Sequence, residues 1–142
     1  MVNLEKVIEF ASIVKDLAKN IAGKLPNVRI ELIGGEPTIH PKFVETCKIA
    51  RQNGFDVLVF SNLSQDREMY LDLASNYGVS FDFSWHSLEN DKLNGKFLEK
   101  TRWLASKFDW NGKKKLLNFT VMLEPYNFQN SILAYRLIKT IC

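Results

Sequence analysis

Cysteine and histidine are the scarcest reactive residues in this sequence. Its 142 residues include two cysteines, Cys47 and Cys142, and two histidines, His40 and His86. Neither cysteine belongs to a CxxC pair or a Cys/His cluster, so the spacing predicts neither a zinc nor an iron–sulfur site. We therefore assign no metal ligand. Sparse cysteine is typical of proteins in a reducing compartment, and we expect a cytoplasmic location.

Long apolar runs and a strong excess of one charge are also absent. No run approaches the roughly 20 apolar residues of a transmembrane helix, and residues 1–3 lead into an amphipathic helix rather than a signal peptide. The net charge of +3 does not favour nucleic acid as a partner. The sequence contains no Gly-x-Gly-x-x-Gly motif, Walker loop or nucleophile elbow. A small molecule is the expected ligand.

Helical and strand-like segments alternate along the chain. Apolar residues at three- and four-residue steps predict helices, and short apolar runs predict strands. The predicted helices are residues 3–24, 42–53, 65–77, 96–108 and 127–141. The predicted strands are residues 28–33, 55–60, 79–85 and 116–123. This alternation is typical of βαβ units with a parallel sheet, here in a single domain of residues 1–142.

The predicted strands are apolar on one face only, although buried parallel strands are usually apolar on both. Phe81 and Phe83, for example, alternate with Asp82 and Ser84. We expect the apolar face to pack on helices and the polar face to line a wet concavity. That arrangement fits a partial (β/α) barrel, a TIM-barrel-like fragment of about four parallel strands and five helices. A flavodoxin-like sheet with helices on both faces is the alternative α/β fold.

Ligand sites in such folds lie at the carboxyl ends of the strands. The first predicted strand ends in Gly34-Gly35-Glu36-Pro37. Glycine lets the backbone approach a ligand closely, the carboxylate of Glu36 suits an ammonium group, and Pro37 stiffens the turn. These features indicate a pocket for a small cationic group, and an ordinary strand-to-helix turn is the alternative. The other strand ends carry Ser61, Asn62, Ser84, His86 and Glu124.

The string Gly34-Gly35-Glu36-Pro37, at a strand end and followed by residues 38–41, resembles the GGEP motif of the radical S-adenosylmethionine enzymes. In that family the motif ends the second strand of a partial (β/α)₆ barrel and holds the amino group of the methionine moiety. The resemblance implies that this string binds the methionine end of S-adenosylmethionine. It also implies positions near ribose, adenine or substrate for Ser61, Asn62, Ser84, His86 and Glu124. The substrate and the catalytic residues are left open.

The sequence departs from that family in its cysteines. The family binds a 4Fe-4S cluster through three cysteines, usually spaced CxxxCxxC, in a loop after its first strand. No such triplet occurs here, and Cys47 with Cys142 cannot replace it, because the cluster needs thiolate ligands. The resemblance therefore implies an internal portion of the barrel, without the first strand and its cluster loop and without the last strand. The cluster would belong only to a full-length protein.

Two functional hypotheses follow from this departure. The first is the S-adenosylmethionine-binding core portion of a radical S-adenosylmethionine enzyme, either a fragment or a truncated gene product, that is inactive alone. The second is a cluster-free, degenerate relative that acts as a binding or interaction module. Under both hypotheses the open sheet edges invite pairing, and we expect a homodimer or coverage by a neighbouring chain.

Several other polar residues have structural interpretations. Cys47 shares a predicted helix face with apolar residues, which indicates core packing. His40 precedes a proline, which favours a role in a turn. His86 is open between a structural and an acid–base role. Arg29, Glu31 and Asp82 project from the polar strand faces, and we expect them to pair with one another.

Overall fold

Helices and strands alternate in the computed structural model, which describes residues 4–23, 27–86, 91–107 and 117–122, together with residues 132, 135, 136, 139 and 140. The helices are α1 (Leu4–Ala22), α2 (Phe43–Gln52), α3 (Arg67–Tyr77) and α4 (Asp91–Lys107). The strands are β1 (Arg29–Leu32), β2 (Asp56–Ser61), β3 (Ser80–His86) and β4 (Leu117–Met122). A short 3₁₀ helix (Pro37–Ile39) precedes α2. Glu124 lies outside the described residues, and the described positions of the predicted helix 127–141 are helical.

The four strands form one all-parallel sheet in the order β1-β2-β3-β4. Each strand lies beside its successor, and crossovers between parallel strands are right-handed, so consecutive crossover helices fall on the same face. A doubly wound sheet of the flavodoxin kind needs a reversal in strand order, and the described strands have none. The prediction of a parallel α/β fold is therefore confirmed, and the flavodoxin-like alternative does not fit.

The core lies between the apolar face of the sheet and the helices α2, α3 and α4. Tyr70 of α3 is fully buried against two strand residues. Its ring meets Phe81 at 5.3 Å and Phe83 at 5.2 Å, both edge-on. Such aromatic pairs contribute about 0.5–1.5 kcal/mol beyond the area they bury. The predicted alternation on β3 is confirmed, because Asp82 and Ser84 are only half-buried.

Helix α4 begins at Asp91, earlier than the predicted start at residue 96. Gly95 falls inside its first turns, just before the predicted start. A glycine inside a helix costs only about 1 kcal/mol relative to alanine. Buried Phe97, Thr101 and Leu104 give the helix a packed face that outweighs this cost.

The polar face of the sheet pairs its residues differently from the prediction. The carboxylate of Asp82 accepts hydrogen bonds from Asn118 Nδ2 at 3.0 Å and Thr120 Oγ1 at 2.7 Å. Strand β4 lies directly beside β3, whereas Arg29 and Glu31 belong to β1, two strands away. The predicted pairing of Asp82 with Arg29 is therefore wrong, since neighbouring strands supply the partners first.

No helix within the described ranges has both the length and the apolar character that crossing a membrane requires.

Candidate functional site

Glu36 joins the carboxyl ends of β1 and β2. Its Oε1 accepts hydrogen bonds from Thr38 N at 3.2 Å and Thr38 Oγ1 at 2.5 Å. Its Oε2 accepts a hydrogen bond from Asn62 N at 2.6 Å. Glu36 is also the N-cap of the 3₁₀ helix, in which Pro37 takes the first position, where the absent N–H of proline costs nothing. Both carboxylate oxygens thus hold protein backbone in place.

Gly34 and Gly35 present open backbone at the same strand end. Their φ angles are +102° and +54°, a region that side chains with a Cβ rarely adopt. A Cβ added to either glycine would meet no atom within 4 Å. Both residues are exposed, and neither backbone has a hydrogen-bond partner among the described residues. Their amides and carbonyls are therefore free to bind a ligand.

A cavity of about 660 Å³ lies next to this motif, bounded by the β2–α3 loop, the end of β3 and helix α4. Its volume falls within the range of small-molecule sites. The described residues that line it are Asn62, Leu63, Ser64, Asp66, Arg67, Ser84, Trp85, His86, Lys96, Phe97, Glu99 and Lys100. Asn62 belongs to this lining and also donates its backbone N–H to Glu36, so it connects the cavity with the glycine motif.

The cavity has an apolar floor and a charged rim. Trp85 and Phe97 are nearly buried, and their rings stack at 5.3 Å with an angle of 23° between planes. Arg67 at the rim donates to Glu99 through Nη1 at 3.2 Å, and its guanidinium lies 4.6 Å from the centre of the Trp103 ring. An apolar floor with polar groups at its border is the usual construction of a ligand pocket.

One wall of the cavity is a tightly held loop, residues 62–66. Leu63 has a φ of +60° although it is not glycine, and such a residue persists where its surroundings hold it. Lys100 Nζ donates to the carbonyls of Leu63, Ser64 and Gln65 at 3.1, 3.0 and 2.5 Å. Burial lowers the pKa of the Lys100 ammonium. Since three carbonyls take all three donors of the ammonium, Lys100 is a clamp and not a free amine.

A buried hydroxyl pair supports the same loop from below. Ser61 Oγ lies 3.1 Å from the hydroxyl oxygen of Tyr70, and it accepts a hydrogen bond from Leu63 N at 3.1 Å. The Tyr70 oxygen accepts one from Gln65 N at 3.2 Å. Burial raises the pKa of the Tyr70 hydroxyl. Ser61 therefore supports the loop from the core side.

The structure brings together only some of the predicted site residues. Those that line the cavity are Asn62, Ser84 and His86. Those at the end of β1, outside the cavity lining, are Gly34, Gly35, Glu36 and Pro37. Ser61 is buried in the core, and Glu124 lies outside the described residues. His40 has the predicted turn role, since its Nδ1 accepts a hydrogen bond from Lys42 N at 3.2 Å.

Sequence reasoning missed Lys100 and Leu63. One signal for Lys100 was present, because it lies three residues after Phe97 and four before Leu104 on α4. Those spacings place a lysine beside an apolar helix face. No comparable signal existed for Leu63, because leucine does not by itself favour a left-handed backbone.

The described residues do not fit an iron–sulfur cluster. They contain no group of three or more side chains that could hold a metal ion. Cys47 is fully buried, and burial raises the pKa of its thiol from 9.0 to about 12. A neutral, buried thiol is not a cluster ligand, and the predicted core role of Cys47 is confirmed.

Comparisons with protein-family models, curated proteins and solved structures found no match to this chain. The family resemblance therefore depends on the Gly34-Gly35-Glu36-Pro37 string and its place in the fold. That place is the carboxyl end of β1 in a singly wound parallel sheet.

Proposed function

We propose that this chain binds S-adenosylmethionine and is the cofactor-binding core portion of a radical S-adenosylmethionine enzyme. The observation that carries the proposal is the open backbone of Gly34 and Gly35. Both residues have a positive φ, and a Cβ added to either would have no atom within 4 Å. The sequential strand order supports a further part of the proposal, that the sheet is an arc of a partial (β/α)₆ barrel.

In this proposal the chain's own groups bind and orient the cofactor. The carbonyls of Gly34 and Gly35 accept hydrogen bonds from the ammonium of the methionine moiety, and their amides face its carboxylate. The negative charge of Glu36 lies beside them and favours the ammonium. The nucleoside of the bound cofactor would then extend toward Asn62, at the border of the cavity. The proposed activity of this chain alone is binding, not cleavage of the cofactor.

Calorimetric titration of S-adenosylmethionine into wild type and two glycine variants tests the proposal. We expect Gly34→Ala to weaken binding at least tenfold, about 1.4 kcal/mol, because a Cβ forces the backbone away from its positive φ. Gly23→Ala is the matched control. Gly23 also has a positive φ, +69°, with no atom within 4 Å of an added Cβ, but it lies at the end of α1. The Gly23→Ala variant should therefore bind S-adenosylmethionine as wild type does.

Two outcomes of this titration would count against the proposal. One is the absence of binding by wild type at millimolar cofactor. The other is an equal loss in both variants, since that would reflect a general effect of alanine at positive φ and not a site at β1.

A cluster-free binding module is the second candidate function, and the buried thiol of Cys47 favours it. The same titration discriminates the two candidates by the affinity of wild type without any cluster. A self-sufficient module should bind S-adenosylmethionine with a dissociation constant in the micromolar range, about −8 kcal/mol. A core portion that lacks its cluster should bind only near millimolar, about −4 kcal/mol, and that result would refute the module.

A further inference from the structure

Helix α1 carries a row of large apolar side chains that are exposed and that no other described element covers. We call this row the outer stripe of α1, and its members are Phe10, Ile13, Val14, Leu17 and Ile21, exposed by 69%, 58%, 39%, 59% and 80%. The opposite side of the helix faces the domain, where Ala11 is buried and Lys15 Nζ donates to the Gly54 carbonyl at 3.3 Å. Contiguous exposed apolar surface of this kind commonly marks a site of protein–protein contact.

The spacing of the stripe matches a heptad pattern. Within it, Val14 and Ile21 occupy the first heptad position, and Phe10 and Leu17 occupy the fourth. Two helices pair well when the first heptad position carries β-branched residues and the fourth carries large residues such as leucine. We propose that a second copy of this chain covers the outer stripe, with α1 packed against α1 about a two-fold axis.

The area of the stripe suits a dimer. At about 150–200 Å² for a fully exposed large side chain, the stripe amounts to about 500 Å² of apolar surface on each copy. Two copies would bury up to about 1,000 Å² from this row, which lies at the lower limit for a biological interface. The same row faces itself across a two-fold axis, so one stripe supplies both halves of the interface. The five stripe residues carry no charge, so pairing leaves no like charges opposed within the row.

This interface differs from the sheet edges that the sequence analysis favoured, and it does not depend on cofactor binding. Other exposed apolar residues stand apart from the row, among them Ile39 at 66%. Ile39 therefore serves as a control of similar size and exposure.

The test is the molar mass measured by light scattering on a gel-filtration column across a range of concentrations. We expect wild type at about twice the 16.4 kDa of one chain, and Phe10→Glu/Leu17→Glu at the mass of one chain, with a dissociation constant raised roughly 100-fold or more. Ile39→Glu should remain dimeric. Circular dichroism establishes that each variant is folded.

A second variant keeps the test decisive if the double variant fails to fold. Ile21→Lys changes the most exposed residue of the stripe, in the last turn of α1, where a positive charge also suits the helix end. It should likewise give the mass of one chain. A wild type of 16.4 kDa at all concentrations would overturn the proposal and leave another segment or partner as the occupant. A dimer that survives both stripe variants, or that Ile39→Glu also dissociates, would overturn it as well.

Discussion

At the scale of single residues, Glu36 shows how one carboxylate can hold two strand ends together. It accepts hydrogen bonds from Thr38 on one side and from the Asn62 amide on the other. Charged acceptors form stronger hydrogen bonds than neutral ones, so this side chain fixes the turn after β1 relative to the end of β2. The open backbone of Gly34 and Gly35 depends on that turn.

We expect Glu36→Gln to lower the free energy of unfolding by about 1.5–3 kcal/mol. Glutamine has one carbonyl oxygen, so its amide group would face a donor at either Thr38 or Asn62. Urea denaturation followed by circular dichroism measures the change. Glu31→Gln is the control, since Glu31 is exposed and its substitution should change stability by less than about 0.5 kcal/mol. Equal effects of the two variants would contradict the assigned role.

At the scale of elements, the cavity wall is stable because α4 holds the loop between β2 and α3. Lys100 supplies one ammonium for three successive carbonyls, and the Ser61–Tyr70 pair binds the amides of Leu63 and Gln65. These contacts satisfy three carbonyls and two amides of this short loop. That is the condition under which Leu63 keeps its left-handed backbone.

Replacement of Lys100 by methionine keeps the length of the side chain but removes the ammonium. We expect Lys100→Met to lower the free energy of unfolding by about 1–2 kcal/mol, because three carbonyls lose their donor and two of these hydrogen bonds are part-buried. The measurement is urea denaturation. Lys96→Met on the same helix is the matched control, since Lys96 is exposed and forms no ion pair among the described residues.

Lys100→Arg adds a further criterion for this clamp. A planar guanidinium does not match three carbonyls that converge on one nitrogen, so arginine should restore less than half of the lost stability. Full restoration by arginine would show that positive charge alone is sufficient and would contradict the clamp.

At the scale of the whole molecule, a single core on one face of a singly wound sheet holds the strand ends in place. Cys47 lies within that core, fully buried between α2 and the sheet. Its protonation state therefore reports on the entire fold, because only unfolding returns the thiol to water.

The pKa of Cys47, raised by burial from 9.0 to about 12, predicts how stability depends on pH. Between these values the unfolded chain releases the thiol proton while the folded chain retains it, so stability is fully present below pH 9 and falls as the pH rises toward 12. We expect the free energy of unfolding to fall more steeply above pH 9 in wild type than in Cys47→Ala. Urea denaturation from pH 8 to 10 measures both slopes, and parallel slopes would contradict the prediction.

Most of the fold follows from patterns that a reader can see in the sequence. The alternation of Phe81 and Phe83 with Asp82 and Ser84 predicted a strand with one buried face, and the structure has it. The start of α4 was predicted too late, at residue 96, whereas buried Phe97 favours a helix that extends across Gly95. The low helix propensity of glycine is a weaker effect than the burial of neighbouring apolar side chains.

The alternation of helices and strands, the parallel sheet and the position of Gly34 and Gly35 at a strand end follow from the sequence, because these depend on periodicity and on residue type. Three features emerge only in the folded molecule: Glu36 binds the Asn62 amide, Lys100 binds three carbonyls, and the described elements leave the outer stripe of α1 exposed. The physical reason is distance. Hydrogen bonds and burial depend on which groups approach within a few ångströms, and residues 26 to 37 positions apart meet only after the chain has folded.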